Sequence, residues 1–266
     1  MTFLSIAQHF CLYNAGMRFY KTCRKAVTAN TGTVRKLSSE VVKVADSREK
    51  MWGISDVVQV FIWRLIIVVL LGRVLLHLWP GASQRLAEVL DRLILLSLTL
   101  LWVGRKGAWR HLGLKFTRPG RQILYGLLGG AGLLILAGGT QWVMGKFLAA
   151  DLSTNPLVKA AAGAQSPGQL LWPLLIGGVL VPATEEIYYR GMAYTAFARR
   201  WGTVSGILVS AVFFSLAHLS GLWFVQIAVV GAGLAVIYHL TGSLWPGIIA
   251  HGLVNSARLL LVYWSS

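Results

Sequence analysis

Glu185-Glu186-Ile187-Tyr188-Tyr189-Arg190 sets two adjacent carboxylates and a guanidinium inside an apolar half of the chain. No other Asp or Glu follows Asp151. A carboxylate at bilayer depth costs about 2.5–3.5 kcal/mol on insertion scales, so it persists with a partner or a task. Glu186 and Arg190 are four apart and share a helix face, which makes them a neutralising pair. Glu185 is rotated by about 100° from Glu186 and lacks that partner. Two downstream stretches offer it polar company: Phe214-Ser-Leu-Ala-His218 and His251-Gly-Leu-Val-Asn255.

The surroundings of this stretch are those of a membrane protein. Of 266 residues, 56% are hydrophobic and only 13% charged, against about 25% charged in soluble domains. Several apolar runs reach the roughly 20 residues that span a bilayer. The net charge of +16 clusters between these runs, as topology signals and headgroup contacts do. No recognition motif accompanies it, so nucleic-acid binding is not expected. Cys11 and Cys23 form no CxxC pair and imply no metal or redox motif. The start of the sequence lacks a basic n-region and is not expected to be a signal peptide.

The fold expected is an all-α polytopic membrane protein with about seven transmembrane helices. Residues 1–50 hold nine Lys/Arg against three acids and read as a basic cytoplasmic or interfacial arm. Residues 51–168 read as N-terminal transmembrane helices and loops, and 169–266 as a transmembrane core. Spans are expected at 57–78, 89–103, 123–144, 169–200, 202–219, 222–240 and 244–263. Arg64 in the first is expected to pair with Asp91 or Glu88. The loop 104–121 carries six Lys/Arg and no acid, which places it with the arm on the cytoplasmic side. Gly126, Gly129, Gly130, Gly132, Gly138 and Gly139 let the third span pack closely on its neighbours. Pro182 either kinks the long fourth segment or opens a new helix. Trp172, Trp201, Trp223 and Trp245 read as interfacial anchors.

Chain geometry brings the polar residues together. Glu185 is 16 residues before Trp201 and His218 is 16 after Gly202. At about 1.5 Å per residue both lie roughly 24 Å from that turn. His251 and Asn255 face the same way. A buried acid beside two histidines and an amide suits hydrolysis of an amide bond. Glu185 would accept a proton from water, with His218 holding that water. His251 and Asn255 would donate to the oxyanion, while Glu186 and Arg190 fix helix and charge. No His-Glu dipeptide opens an HExxH zinc motif, and no Asp after Asp151 supplies an aspartyl dyad. Glutamate-activated water survives. No cofactor is favoured; the alternative is zinc held by Glu185, His218 and His251. Read singly, the acids could be a structural ion-pair cluster, the histidines and Tyr188, Tyr189 and Phe214 packing, and His239 an interfacial residue. Rival functions are a proton- or ion-coupled transporter and an inert scaffold.

Glu185-Glu186-x-x-x-Arg190, Phe214-x-x-x-His218 and His251-x-x-x-Asn255 resemble the three motifs of the CAAX prenyl protease 2 and bacteriocin-processing (CPBP) family, also called Abi. Pro182-Ala-Thr-Glu-Glu-Ile-Tyr-Tyr-Arg-Gly191 and Gly242-Ser-Leu-Trp-Pro-Gly-Ile-Ile-Ala-His251 extend the likeness. The resemblance covers about residues 169–260. It implies a helical intramembrane endopeptidase acting on a membrane-associated protein or peptide, with Glu185 as base, His218 as its partner, and His251 and Asn255 at the oxyanion. Eukaryotic members remove the C-terminal tripeptide of prenylated CAAX proteins. Many members carry a metalloprotease label, although family structures favour a metal-free glutamate. The expected setting is the bilayer of a bacterial inner membrane; oligomeric state is left open.

Overall fold

Two ion pairs fix the first helical hairpin. Helix α1 (Ile54–Leu78) and helix α2 (Gln84–Arg105) are joined at Arg64 and Asp91, whose two hydrogen bonds measure 2.7 and 2.6 Å, and at Asp56 and Lys106, 3.4 Å apart. Contacts that link the start of one helix to the end of the other require the two to run antiparallel. The Arg64–Asp91 expectation is met.

The computed structural model describes residues 51–78, 84–147, 156–221 and 223–266. The arm expected at residues 1–50 lies outside them. No strand occurs among the described residues, and Trp52–Ser266 form one compact unit. After α2 come a short 3₁₀ turn (Trp109–His111), α3 (Pro119–Phe147), α4 (Pro156–Ala162) and a long helix, α5 (Pro167–Trp201). Helices α6 (Thr203–Leu216), α7 (Phe224–Thr241) and α8 (Leu244–Ser265) complete the bundle.

This is a helical membrane protein. The exposed faces of α1 and α3 are apolar, with Ile62, Leu65, Leu70, Leu128 and Ile135 outermost. The polar groups lie inside, where protein replaces lipid. Four of the seven expected spans have the length and apolarity of a bilayer crossing: those in α1, α3, α5 and α7. The other three fall short because of what they carry. Helix α2 holds Glu88, Asp91 and Arg92, α8 holds His251, Asn255 and Arg258, and α6 has only 14 residues.

Pro182 stands in the first turn of a short α-helical stretch, Val181–Glu185, as the second expected alternative has it, while the chain stays helical on both sides. That stretch is flanked by π-helical turns at Ile176–Leu180 and Glu186–Tyr194. A proline ring collides with the carbonyl four residues back and offers no N–H. A wider turn ahead of it accommodates both defects, and such π-bulges occur often at functional sites.

Small residues set how closely the helices approach. Of the six glycines between residues 123 and 144 of α3, three meet a neighbour. A Cβ on Gly126 would stand 2.7 Å from Ile249, one on Gly129 would reach Ile237 at 2.6 Å, and one on Gly130 would reach Leu253 at 2.8 Å. Gly132, Gly138 and Gly139 face open space, so half of the glycine expectation is realised. At the crossing of α8 over α5, Gly252 lies directly on the Gly178 carbonyl. Gly202, at φ +85°, makes the turn from α5 into α6.

Candidate active site

The site is built on Glu185 and Glu186, which sit where the α-helical stretch Val181–Glu185 meets the second π-helical turn of α5 and are 1% and 0% exposed. Burial of two adjacent acids needs counter-charge, and three elements supply it. Arg190, one turn on, stands 2.9 Å from Glu186 Oε1. This contact is electrostatic, because Arg190 Nη1 is not aligned as a hydrogen bond. The guanidinium is held from two other sides: Nη2 donates to the Gly231 carbonyl at 3.2 Å, and the plane lies 4.3 Å above the Phe214 ring. Phe214 is therefore buried packing, as expected, and also a cation–π platform.

Helix α8 brings His251 to both acids. Its Nδ1 is 3.0 Å from Glu186 Oε1, and its Nε2 is 4.0 Å from Glu185 Oε2. Facing a carboxylate, Nδ1 is the donor and carries a proton. Gly247 is what allows α8 so near, since a Cβ there would lie 3.1 Å from Glu186 Oε2.

His218 arrives from α6. Its Nδ1 donates to the Phe214 carbonyl at 2.7 Å, which fixes the ring, and its Nε2 lies 4.0 Å from Glu185 Oε1. The equal spacing of Glu185 and His218 about the Gly202 turn does bring them to one level.

Asn255 is held by the widened turn. In the i→i+5 register the donor facing the Gly177 carbonyl would come from residue 182, and Pro182 has none. Asn255 Nδ2 donates there instead, at 2.9 Å.

One partner was not anticipated. The sequence reading leaves Glu185 without a counter-ion, yet Arg92 of α2 binds its Oε1 at 2.6 Å. Arg64 takes Asp91, so Arg92, adjacent to Asp91, is released for the glutamate. The signal is local to Asp91: this one acid has two arginines beside it, Arg64 and Arg92, the latter at 3.7 Å, which leaves one positive charge over for Glu185. The pairs Arg64–Asp91, Arg92–Glu185 and Arg190–Glu186 together leave the cluster neutral. Within it, Glu185 Oε2 and Glu186 Oε2 are buried without a hydrogen-bond partner.

The remaining polar residues take structural places. Tyr188 donates to the Val57 carbonyl at 2.9 Å, and Tyr189 packs edge-on to Tyr188 and Phe214. His239 meets Tyr194 Oη at 2.9 Å near the end of α7. Trp223 departs from its expected role as an interfacial anchor: it is 7% exposed and covered by Arg258. As for zinc, the residues do not fit. No group of three or more His, Cys, Asp or Glu converges as a metal site among the described residues, and the Arg92 cation already occupies Glu185 Oε1.

Residues 167–257 match the family model described as Type II CAAX prenyl endopeptidase Rce1-like. This segment resembles that family. The match agrees with the CPBP resemblance and spans all seven named motif residues, from Glu185 to Asn255. Comparison with curated proteins and with solved structures gave no match. Arg64, Asp91 and Arg92 lie outside the Rce1-like segment. A family pattern confined to that segment therefore contains the acid but not the cation that holds it.

Proposed function

We propose that the protein is an intramembrane endopeptidase of the CAAX type, hydrolysing a peptide bond of a membrane-associated protein or peptide through glutamate-activated water. The observation that carries this reading is the asymmetry of Glu185. One oxygen is held by Arg92, while the other has no hydrogen-bond partner and points toward His251. Each imidazole Nε2 stands 4.0 Å from the carboxylate, too far for a direct hydrogen bond and close enough for one water to bridge.

In this reading Glu185 takes a proton from a water held against His218. The hydroxide formed attacks the carbonyl carbon of the scissile amide. The charge that develops on the carbonyl oxygen would be met by Nε2–H of a His251 ring that carries both protons from the outset, with Glu186, which accepts from Nδ1–H, as its counter-ion. Asn255, anchored on Gly177, lends its second amide hydrogen. The proton held by Glu185 then passes to the leaving nitrogen as the C–N bond breaks. Glu186 and Arg190 are positioning residues. The proposed setting is a bacterial cell membrane.

The test is Glu185→Gln, which keeps size and removes the base. Cleavage of a prenylated CAAX peptide by the purified protein is expected to fall by about 10²–10⁴-fold. Yield and thermal unfolding should show that the fold persists. Undiminished cleavage by a folded Glu185→Gln protein would refute the assignment. Comparing membrane proteomes with wild-type and variant protein identifies the natural substrate as the precursor left uncut.

A further inference from the structure

Arg64, Arg92 and Arg190 each stand on a carboxylate. Arg258 of α8 is half-buried, and no carboxylate faces it among the described residues. Its guanidinium lies 5.0 Å from the centre of the Trp223 ring. It lines a cavity of about 280 Å³ with Gln141, Val158, Leu261, Val262 and Ser265. Hydrolysis at Glu185 uses neither the arginine nor the cavity. A cation left on an aromatic face beside open space is prepared for an anion from outside.

The depth of the cavity says where that anion comes from. Arg258 is seven residues, or about 10.5 Å, from Ser265 at the end of α8, and Gln141 is six residues before the end of α3. Trp223 directly precedes α7. The other end of α8 is tied to the basic loop 104–121: Leu244 N–H donates to the Gly113 carbonyl, and Ser243 Oγ–H to the Lys115 carbonyl. The cavity therefore belongs to the leaflet away from that loop. A long basic side chain this close to a helix end reaches headgroup level by snorkelling. Leu261 and Ser265 on its rim are exposed, so lipid has access from the side.

We propose that the Arg258 cavity is a binding site for the phosphodiester of a phospholipid headgroup in that leaflet. The planar guanidinium matches two phosphate oxygens through parallel N–H bonds. Stacking on Trp223 orients it without using those donors. Gln141 and Ser265 carry further donors. Val158, Leu261 and Val262 make the rest of the wall apolar, which suits the glycerol and the first acyl carbons of a lipid. A free phosphate ion would instead press charged oxygens against that apolar wall. Basic pockets between membrane helices take lipid headgroups in this way. The site stands whether or not Glu185 hydrolyses a peptide.

Thermal unfolding of the full chain in dodecyl maltoside tests the proposal. The additives are dioleoylphosphatidylglycerol, dioleoylglycerol, which has the same acyl chains and no phosphate, and inorganic phosphate. Phosphatidylglycerol is expected to raise the wild-type midpoint by about 5 °C near saturation, and the other two to leave it within about 1 °C. Arg258→Gln should lose the shift and Arg258→Lys keep part of it. Leu261→Trp, which fills the cavity from its exposed rim and keeps the charge, should also lose it. Lys115→Gln/Arg118→Gln/Arg121→Gln, in the basic loop, should keep it. No shift with phosphatidylglycerol, or an equal one with dioleoylglycerol, would overturn the proposal from the wild type alone, with no variant required to fold. A shift that survives Arg258→Gln or Leu261→Trp, or that disappears with the basic-loop variant, would overturn it as well. Stabilisation by inorganic phosphate would assign the cavity to a free anion and end the lipid assignment.

Discussion

Glu185 and Arg92 form a contact whose two halves have different histories in the sequence. The acid stands in a motif, and the arginine stands in a helix that looks like an ordinary span. Because Glu185 is 1% exposed, losing the cation strands a buried charge, and removal of one partner of a buried pair costs about 3–5 kcal/mol. Arg92 is partly exposed, at 22% of its side chain, so the lower end applies. Arg92→Gln is expected to lower stability by about 3 kcal/mol and to reduce kcat with little change in KM, since the acid loses its aim and not its substrate. Arg92→Lys, which restores charge but not the fork, should recover part of both. Thermal unfolding in detergent together with steady-state kinetics checks this, and a variant with full kcat would deny Arg92 a positioning role. The motif residues themselves were legible because carboxylates and imidazoles are conspicuous in an apolar sequence. The partner of Glu185 was not, because arginine is also the commonest topology signal, and nothing in a linear sequence says that α2 lies against α5.

At the level of the element, α5 combines two features that are individually unfavourable: a proline inside a helix and consecutive turns in the i→i+5 register. Together they leave the Gly177 carbonyl available and let Asn255 take it. The crossing with α8 depends on the absence of side chains at Gly178 and Gly252. Gly252→Ala is expected to push the helices apart at a cost of about 1–3 kcal/mol and to lower activity by displacing His251 one residue away. Gly138→Ala, in open space on α3, should be neutral or slightly stabilising, as alanine favours helix by up to about 1 kcal/mol. Unfolding midpoints of the two variants, compared in one detergent, decide the matter; equal midpoints would remove the crossing from the account. The sequence pattern located α5 and flagged Pro182, yet it left the choice between kink and new helix open. A π turn is set by local hydrogen-bond competition, which hydropathy does not report.

For the molecule as a whole, hydrophobic length and polar content are shared unevenly among the helices, and α5 carries both. Helices α1, α3, α5 and α7 have the hydrophobic length to cross a bilayer, whereas α2, α6 and α8 bring in charge, a short turn and the polar stripe. That division explains why counting apolar runs gave a higher number than the criteria of length and apolarity allow. Helical class was readable from composition alone, but the shorter and more polar helices owe their depth to protein neighbours. If the reaction proceeds through Glu185 and water, strong chelators should leave cleavage by the purified protein unchanged. Loss on treatment with a chelator, followed by recovery on adding one equivalent of zinc, would instead favour metal chemistry at Glu185, His218 and His251.

The Arg92 contact has a bearing on how such proteins can be recombined. A graft that moves residues 167–257 onto unrelated helices would carry every signature residue and still deliver a bare, uncompensated acid to its new host. The N-terminal hairpin is thus not interchangeable packaging. Chimeras between distant homologues should work only when the donor of the signature segment also contributes a basic side chain at the level of Arg92.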